Sequence, residues 1–156
     1  MSQKLVLGAD IGGSHVTVGI INLQTNTILP QTKSRLDLNS KGNLESILSV
    51  WQKAVEKSYA SFGEKPGHLG ISMPGPLDYE KGISLISGQD KYEALYGLNI
   101  KTLLAQRLQM PAQGARRTMQ LPCQLLYCGG IGQILGKQLT NTLQPDLSAA
   151  ELGIQT

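Results

Sequence analysis

Asp10, Ile11, Gly12, Gly13 and Ser14 put a carboxylate at the end of an apolar run and two glycines in the turn beyond it. Glycines permit unusual φ angles and let bare backbone N–H groups come close to a phosphate. Ser14 adds a hydroxyl donor, and Asp10 is suited to orient a hydrated Mg2+ beside such phosphates. An ordinary β-turn with an exposed aspartate would read the same way, so the spacing alone leaves both open. No Gly-Lys-Ser/Thr follows, which excludes a Walker A loop. The segment after Ser14 is strand-like and offers no helix N-terminus, which excludes a dinucleotide fingerprint.

A second turn lies at Gly70-Ile71-Ser72-Met73-Pro74-Gly75-Pro76-Leu77-Asp78. Two prolines restrict the backbone around Gly75 and hold its amide and carbonyl groups rigid. A preorganised loop of this kind suits a small polyhydroxyl molecule, whose hydroxyls need donors and acceptors together. A purely structural hairpin is the competing reading. His15 and His68 each begin a strand-like segment and read as packing or supporting residues, and no Ser/His/Asp or Cys/His constellation forms around them.

The elements that must carry these turns follow from the pattern of apolar residues. Residues 4–9 read as a buried first strand and residues 15–22 as a β-branched second strand. Residues 28–35 are predicted to return as a third strand, with Pro30 at its start or on an edge. Asn43 is a candidate N-cap. Leu44, Ile47, Leu48, Trp51 and Val55 then recur at helical spacing, predicting a helix over 44–61 with Trp51 in the core. Residues 68–73 read as a strand, 79–98 as a loop with short pieces of structure, and 100–109 as a helix capped by Asn99 and ended by Pro111. Antiparallel turns followed by strand and helix alternation predict an α/β domain with a mixed sheet.

Composition bounds the rest. A chain of 156 residues holds one domain of ordinary size, so a site needing two closing domains is incomplete here or completed by another chain. Charged residues are only 16%, against 40% apolar, which still allows a globular core. The net charge of +3 is scattered, with Arg116-Arg117 the single adjacent basic pair, so no nucleic-acid partner is expected. Neither a secretory signal nor an apolar run long enough to span a membrane is visible, and a cytoplasmic location is expected. Cys123 and Cys128 are too few to hold a structural zinc.

Residues 6–19, VLGADIGGSHVTVG, and residues 70–78, GISMPGPLD, resemble the family of bacterial repressors, open reading frames and sugar kinases commonly called ROK. Residues 88–100, GQDKYEALYGLNI, resemble the loop before the family's next helix in a glucokinase-like form, and the resemblance covers about residues 4–111. It implies the amino-terminal domain of an actin-like, ribonuclease-H-like ATPase fold, with ATP, Mg2+ and a hexose sugar bound in a cleft between two domains. It assigns Asp10, Gly12, Gly13 and Ser14 to ATP and its metal ion, Ser14 standing where threonine is commoner, and Gly75 and Pro76 to the sugar side. Intact relatives are expected to form homodimers. The domain begins within ten residues of Met1, which favours the kinase branch over repressors with a preceding DNA-binding region. A non-enzymatic sugar-sensing or interaction module is the alternative.

The family pattern also demands an Asn-Asp-Ala soon after the second helix, its aspartate removing the proton from the sugar hydroxyl. No Asn-Asp pair occurs after residue 111. Residues 117–122, Arg-Thr-Met-Gln-Leu-Pro, can be encoded CGA ACG ATG CAA CTG CCN, and reading from two nucleotides later gives Asn-Asp-Ala-Thr-Ala. Residues 1–111 are therefore expected to be a partial kinase domain and 112–156 a frameshifted tail, leaving the chain with no catalytic residue and inactive alone. The strand-and-glycine text of residues 121–136 is then accidental.

Overall fold

The computed structural model describes residues 5–110 and 123–125. β1 (Leu5–Ile11) and β2 (His15–Asn22) form an antiparallel hairpin in which Asp10 faces Thr17 and Gly8 faces Gly19. The single third strand expected over 28–35 is instead divided. β3 (Thr27–Ile28) and β4 (Ser34–Asp37) both pair with β2, separated by a 3₁₀ turn at Pro30–Thr32. The cause is local. Pro30 has no N–H to give a ladder. The buried hydroxyl of Thr32 takes over, accepting from the Ile20 amide at 2.9 Å and donating to the Leu29 carbonyl at 2.7 Å.

Asn43 caps α1 (Leu44–Ala60) as its sequence implies, its side-chain oxygen accepting from the Ser46 amide at 2.9 Å. α1 leads to β5 (Leu69–Ser72), which pairs in parallel with β1 and sets Asp10 beside Ser72. The loop expected over 79–98 holds β7 (Ile83–Ser84), which forms a small hairpin with β6 (Leu77–Asp78) just before it, and then a 3₁₀ turn at Glu93–Leu95. α2 (Ile100–Arg107) starts on the Asn99 cap and is two residues shorter than its apolar pattern suggests. β8 (Cys123–Leu125) continues the sheet in parallel on the far side of β5, giving the order β3-β2-β1-β5-β8 with β4 also on β2. Beyond those three residues, the expectation of an out-of-frame tail over 112–156 lies outside the described residues.

Strand alternation sorts the sheet into two faces. Leu7, Ala9, Ile11, Val16, Val18, Ile20, Leu69 and Ile71 join one core with Ile47, Leu48, Trp51, Ala54 and Val55 of α1, Ile100 and Leu104 of α2, and Leu108 at its C-cap. Both helices therefore pack on the same face, and an Arg107–Glu45 ion pair ties the end of α2 to the first turn of α1. On the other face Gly19, Gly8 and Gly70 stand abreast on three neighbouring strands, next to the row formed by Thr17, Asp10 and Ser72. Among the described residues no helix is long and apolar enough to cross a membrane.

Candidate functional site

Because β1 and β5 run parallel in register, their carboxyl ends lie at one edge of the sheet. The Gly12–Gly13 turn leaves from β1 there, and the Pro74–Pro76 turn leaves from β5 beside it. Ligands of open α/β sheets gather at such an edge because the strands end there and loops diverge. The fold thus brings together the two turns that lie some sixty residues apart in sequence.

At the first turn the Gly12 amide donates to the His15 carbonyl at 2.9 Å and closes the hairpin. The Gly12 amide thus serves the turn, while the Gly13 and Ser14 amides have no hydrogen-bond partner among the described residues. Neither Gly12 nor Gly13 adopts a positive φ, so a left-handed turn is not what the glycines supply. Gly13 supplies room instead, since a Cβ built there would meet nothing within 4 Å. Ser14 is exposed, with its hydroxyl 3.2 Å from Nδ1 of His15 and its carbonyl accepting from Leu38 at 2.8 Å.

Asp10 is half-buried at the base of this turn. Burial raises its carboxyl above the ordinary carboxylate value, against the opposing pulls of His15, a hydrogen bond from Ser72 and the charge of Arg35. Thr17, directly across from it, has a buried hydroxyl with no partner among the described residues. No cluster of three or more His, Cys, Asp or Glu side chains that could hold a metal occurs among the described residues. A single carboxylate still suits Mg2+, which keeps several waters and is completed by substrate phosphate oxygens. Asp10 fits that part and no tighter one.

At the second turn the Gly75–Pro76 peptide is cis, Gly75 is half-buried and Pro76 is exposed. Its carbonyls are less free than the sequence suggests. Gly75 oxygen accepts from Gln89 Nε2 at 3.2 Å, and Pro76 oxygen accepts from the Leu85 amide at 3.0 Å. Each keeps one lone pair for a ligand. His68 lies before the amino end of β5, at the opposite edge, where its carbonyl accepts from the Leu7 amide.

Sequence reasoning missed three residues of this site. Ser72 stands beside Asp10 and favours its charged form, Gln89 holds Gly75, and Tyr92 donates its hydroxyl to the Gly12 carbonyl. A signal existed for Ser72 alone, since a parallel pairing of the two motif strands puts Ser72 on the face of Asp10. Tyr92 is fully buried in a left-handed conformation (φ 56°), with its ring centroid 6.0 Å from that of Trp51.

No protein-family model matches the chain, and no curated protein matches it in sequence. Solved structures do. A ROK hexokinase from Thermus thermophilus matches 78% of this chain with a TM-score of 0.57 at 20% identity. A ROK family glucokinase from Streptomyces griseus, solved in complex with glucose and AMPPNP, matches 69% with a TM-score of 0.55 at 22% identity. A ROK family transcriptional regulator, a homolog of the E. coli MLC protein, matches 69% with a TM-score of 0.55 at 15% identity. The chain spans 34%, 31% and 26% of those three chains. The likeness is one of fold, an α/β domain with a mixed sheet, and this chain spans between about a quarter and a third of the matched proteins' length.

Proposed function

We propose that the chain is the amino-terminal part of an ATP-dependent sugar kinase of the ROK family, acting on glucose or a related hexose in the cytoplasm. The observation that carries the reading is the turn beside Asp10, where Gly13 faces open space and the Gly13 and Ser14 amides have no hydrogen-bond partner among the described residues. In this reading those amides and the Ser14 hydroxyl bind the phosphates of ATP, which makes them donors to charge that grows during transfer. Mg2+, when bound, would neutralise phosphate charge, and Asp10 is the residue that would orient it. Gly75 and Pro76, at the neighbouring turn, would orient the sugar so that a hydroxyl lies in line with the γ-phosphoryl group.

The proton of that hydroxyl needs a base, and none of these residues is placed to take it. We infer that the base belongs to the Asn-Asp-Ala encoded in the alternative frame near residues 117–121. Loss of a positioned base reduces a rate by about 10² to 10⁴. A chain without the Asn-Asp-Ala is therefore expected to turn over at least about 10²-fold more slowly than the frame-restored protein, which would form homodimers as its relatives are expected to.

The test begins with the coding DNA, where the alternative frame must be open. Both proteins are then assayed for ATP-dependent phosphorylation of glucose, mannose, fructose and N-acetylated hexoses. Turnover by the restored protein alone supports the proposal; no turnover with any of these sugars ends it. The regulator of the same fold favours one second reading, a sugar-sensing module without catalysis. Hexose binding that persists without ATP in a folded, catalytically silent restored protein would select that reading.

A further inference from the structure

The peptide unit joining Gly12 to Gly13 is a trans plane, since the described cis bond is at Gly75–Pro76. In a trans peptide the carbonyl and the following N–H point in opposite directions and turn together. Whatever holds the Gly12 oxygen therefore aims the Gly13 N–H. Two glycines flanking one peptide leave it otherwise free to rotate, because neither side chain restricts the adjoining torsions.

Tyr92 holds that oxygen through its hydroxyl, from eighty residues away in sequence. Its own position is fixed from three sides: its amide donates to the Ser40 carbonyl at 2.7 Å, its ring packs on Trp51, and its backbone turns left-handed. Three residues earlier, Gln89 reaches the carbonyl of Gly75 on the other turn, while its amide bonds the Glu93 carboxylate at 2.8 Å and closes the segment on itself. One five-residue segment thus touches both turns.

We propose that Tyr92 is a positioning residue that locks the Gly12–Gly13 peptide with the Gly13 amide facing outward, and that the Gln89–Glu93 segment transmits displacement of the Gly75 turn to that amide. The lock belongs to the empty protein. It rests on the kinase reading only for the identity of the ligands, ATP phosphate at Gly13 and hexose at Gly75. Occupying the sugar turn would then adjust the phosphate donor before ATP arrives, a coupling that needs no movement of the sheet.

The test is backbone amide relaxation of the full chain without ligand, in Tyr92→Phe, Gln89→Ala and the double variant. Tyr92→Phe keeps the ring on Trp51 and removes only the hydroxyl. The Gly13 N–H order parameter is expected to fall from a rigid value of about 0.85 to below about 0.6, while Gly19 in the same hairpin is unchanged. Gln89 is exposed, so its replacement does not threaten folding; it should loosen Gly13 when Tyr92 is present and add nothing when Phe stands there. An unchanged Gly13 in Tyr92→Phe overturns the lock, and equal effects of Gln89→Ala in both backgrounds overturn the transmission. A Gly13 that loosens as expected, together with a frame-restored protein that binds neither MgATP nor hexose, leaves the lock standing and defeats the kinase reading alone.

Discussion

Asp10 and Ser72 stand side by side on the parallel strands β1 and β5, close enough for the serine hydroxyl to favour the charged carboxylate. That pull does not compensate for burial, which is the largest influence on Asp10 and raises its pKa above the ordinary 3.8. The folded chain therefore binds the Asp10 proton more tightly than the unfolded chain does. Stability from this group is fully present below pH 3.8 and is lost as pH rises through the raised value. Asp10→Asn is expected to raise Tm at pH 7 and to change it little at pH 3, while abolishing Mg2+-dependent ATP binding. Thermal denaturation at the two pH values, with ATP titration in the presence and absence of Mg2+, checks both halves. A lower Tm at pH 7 would mean that His15, Ser72 and Arg35 outweigh burial.

Gly13 and Gly19 predict opposite outcomes for the same replacement. An alanine methyl at Gly13 meets no atom within 4 Å, so stability should change by less than about 0.5 kcal/mol. MgATP binding should weaken, because the methyl occupies the approach to the phosphate. At Gly19 the methyl would sit 2.9 Å from Cγ2 of Ile28, and overpacking of this kind costs about 1–3 kcal/mol. Urea denaturation of Gly13→Ala and Gly19→Ala, paired with ATP titration, separates a ligand glycine from a packing glycine.

These contrasts mark how far the sequence could be read. β2 and α1 were legible because their signals are local: an unbroken β-branched run for one, and a cap followed by apolar residues at helical spacing for the other. The third strand was misread because Pro30 was weighed as an edge residue, while Thr32 substitutes for the ladder through a contact with Ile20 twelve residues away. Asp10, Gly12, Gly13 and Ser14 stood out by type and spacing, and Gly12, Gly13 and Ser14 do lie in one turn, with Asp10 on the strand that leads into it. Tyr92 carried no such mark. A tyrosine among glycines and charges looks like any loop aromatic, and only the fold brings its hydroxyl to Gly12.

The cap of α1 should be measurable on its own. Asn43→Ala removes the acceptor of the Ser46 amide and is expected to cost about 1 kcal/mol, which for a domain of this size lowers Tm by roughly 4–8 °C. Asn43→Asp and Asn43→Ser, which keep an acceptor oxygen, should recover most of the loss in the same melting experiment. Equal losses in all three would place the effect outside the cap.

Trp51, the sole tryptophan, is 1% exposed and packs against Tyr92. Trp51→Ala is expected to destabilise by about 3–5 kcal/mol, a large share of the roughly 5–15 kcal/mol that holds a domain together. Chemical denaturation followed by circular dichroism measures this without the lost fluorophore. In the unsubstituted chain, tryptophan emission should shift to the red in the same transition that removes helical signal, since the ring and α1 share one core.

The strip of bare backbone where Gly19, Gly8 and Gly70 lie abreast has a bearing on how variants of this protein are interpreted. A survey that scores only cellular output would register damage at Gly19 as readily as at the Gly12–Gly13 turn, and a map drawn from it would enlarge the apparent binding region along β2. Resistance to denaturant divides the two: a Gly19 variant is weakened before any ligand is offered, whereas a Gly13 variant keeps its native stability.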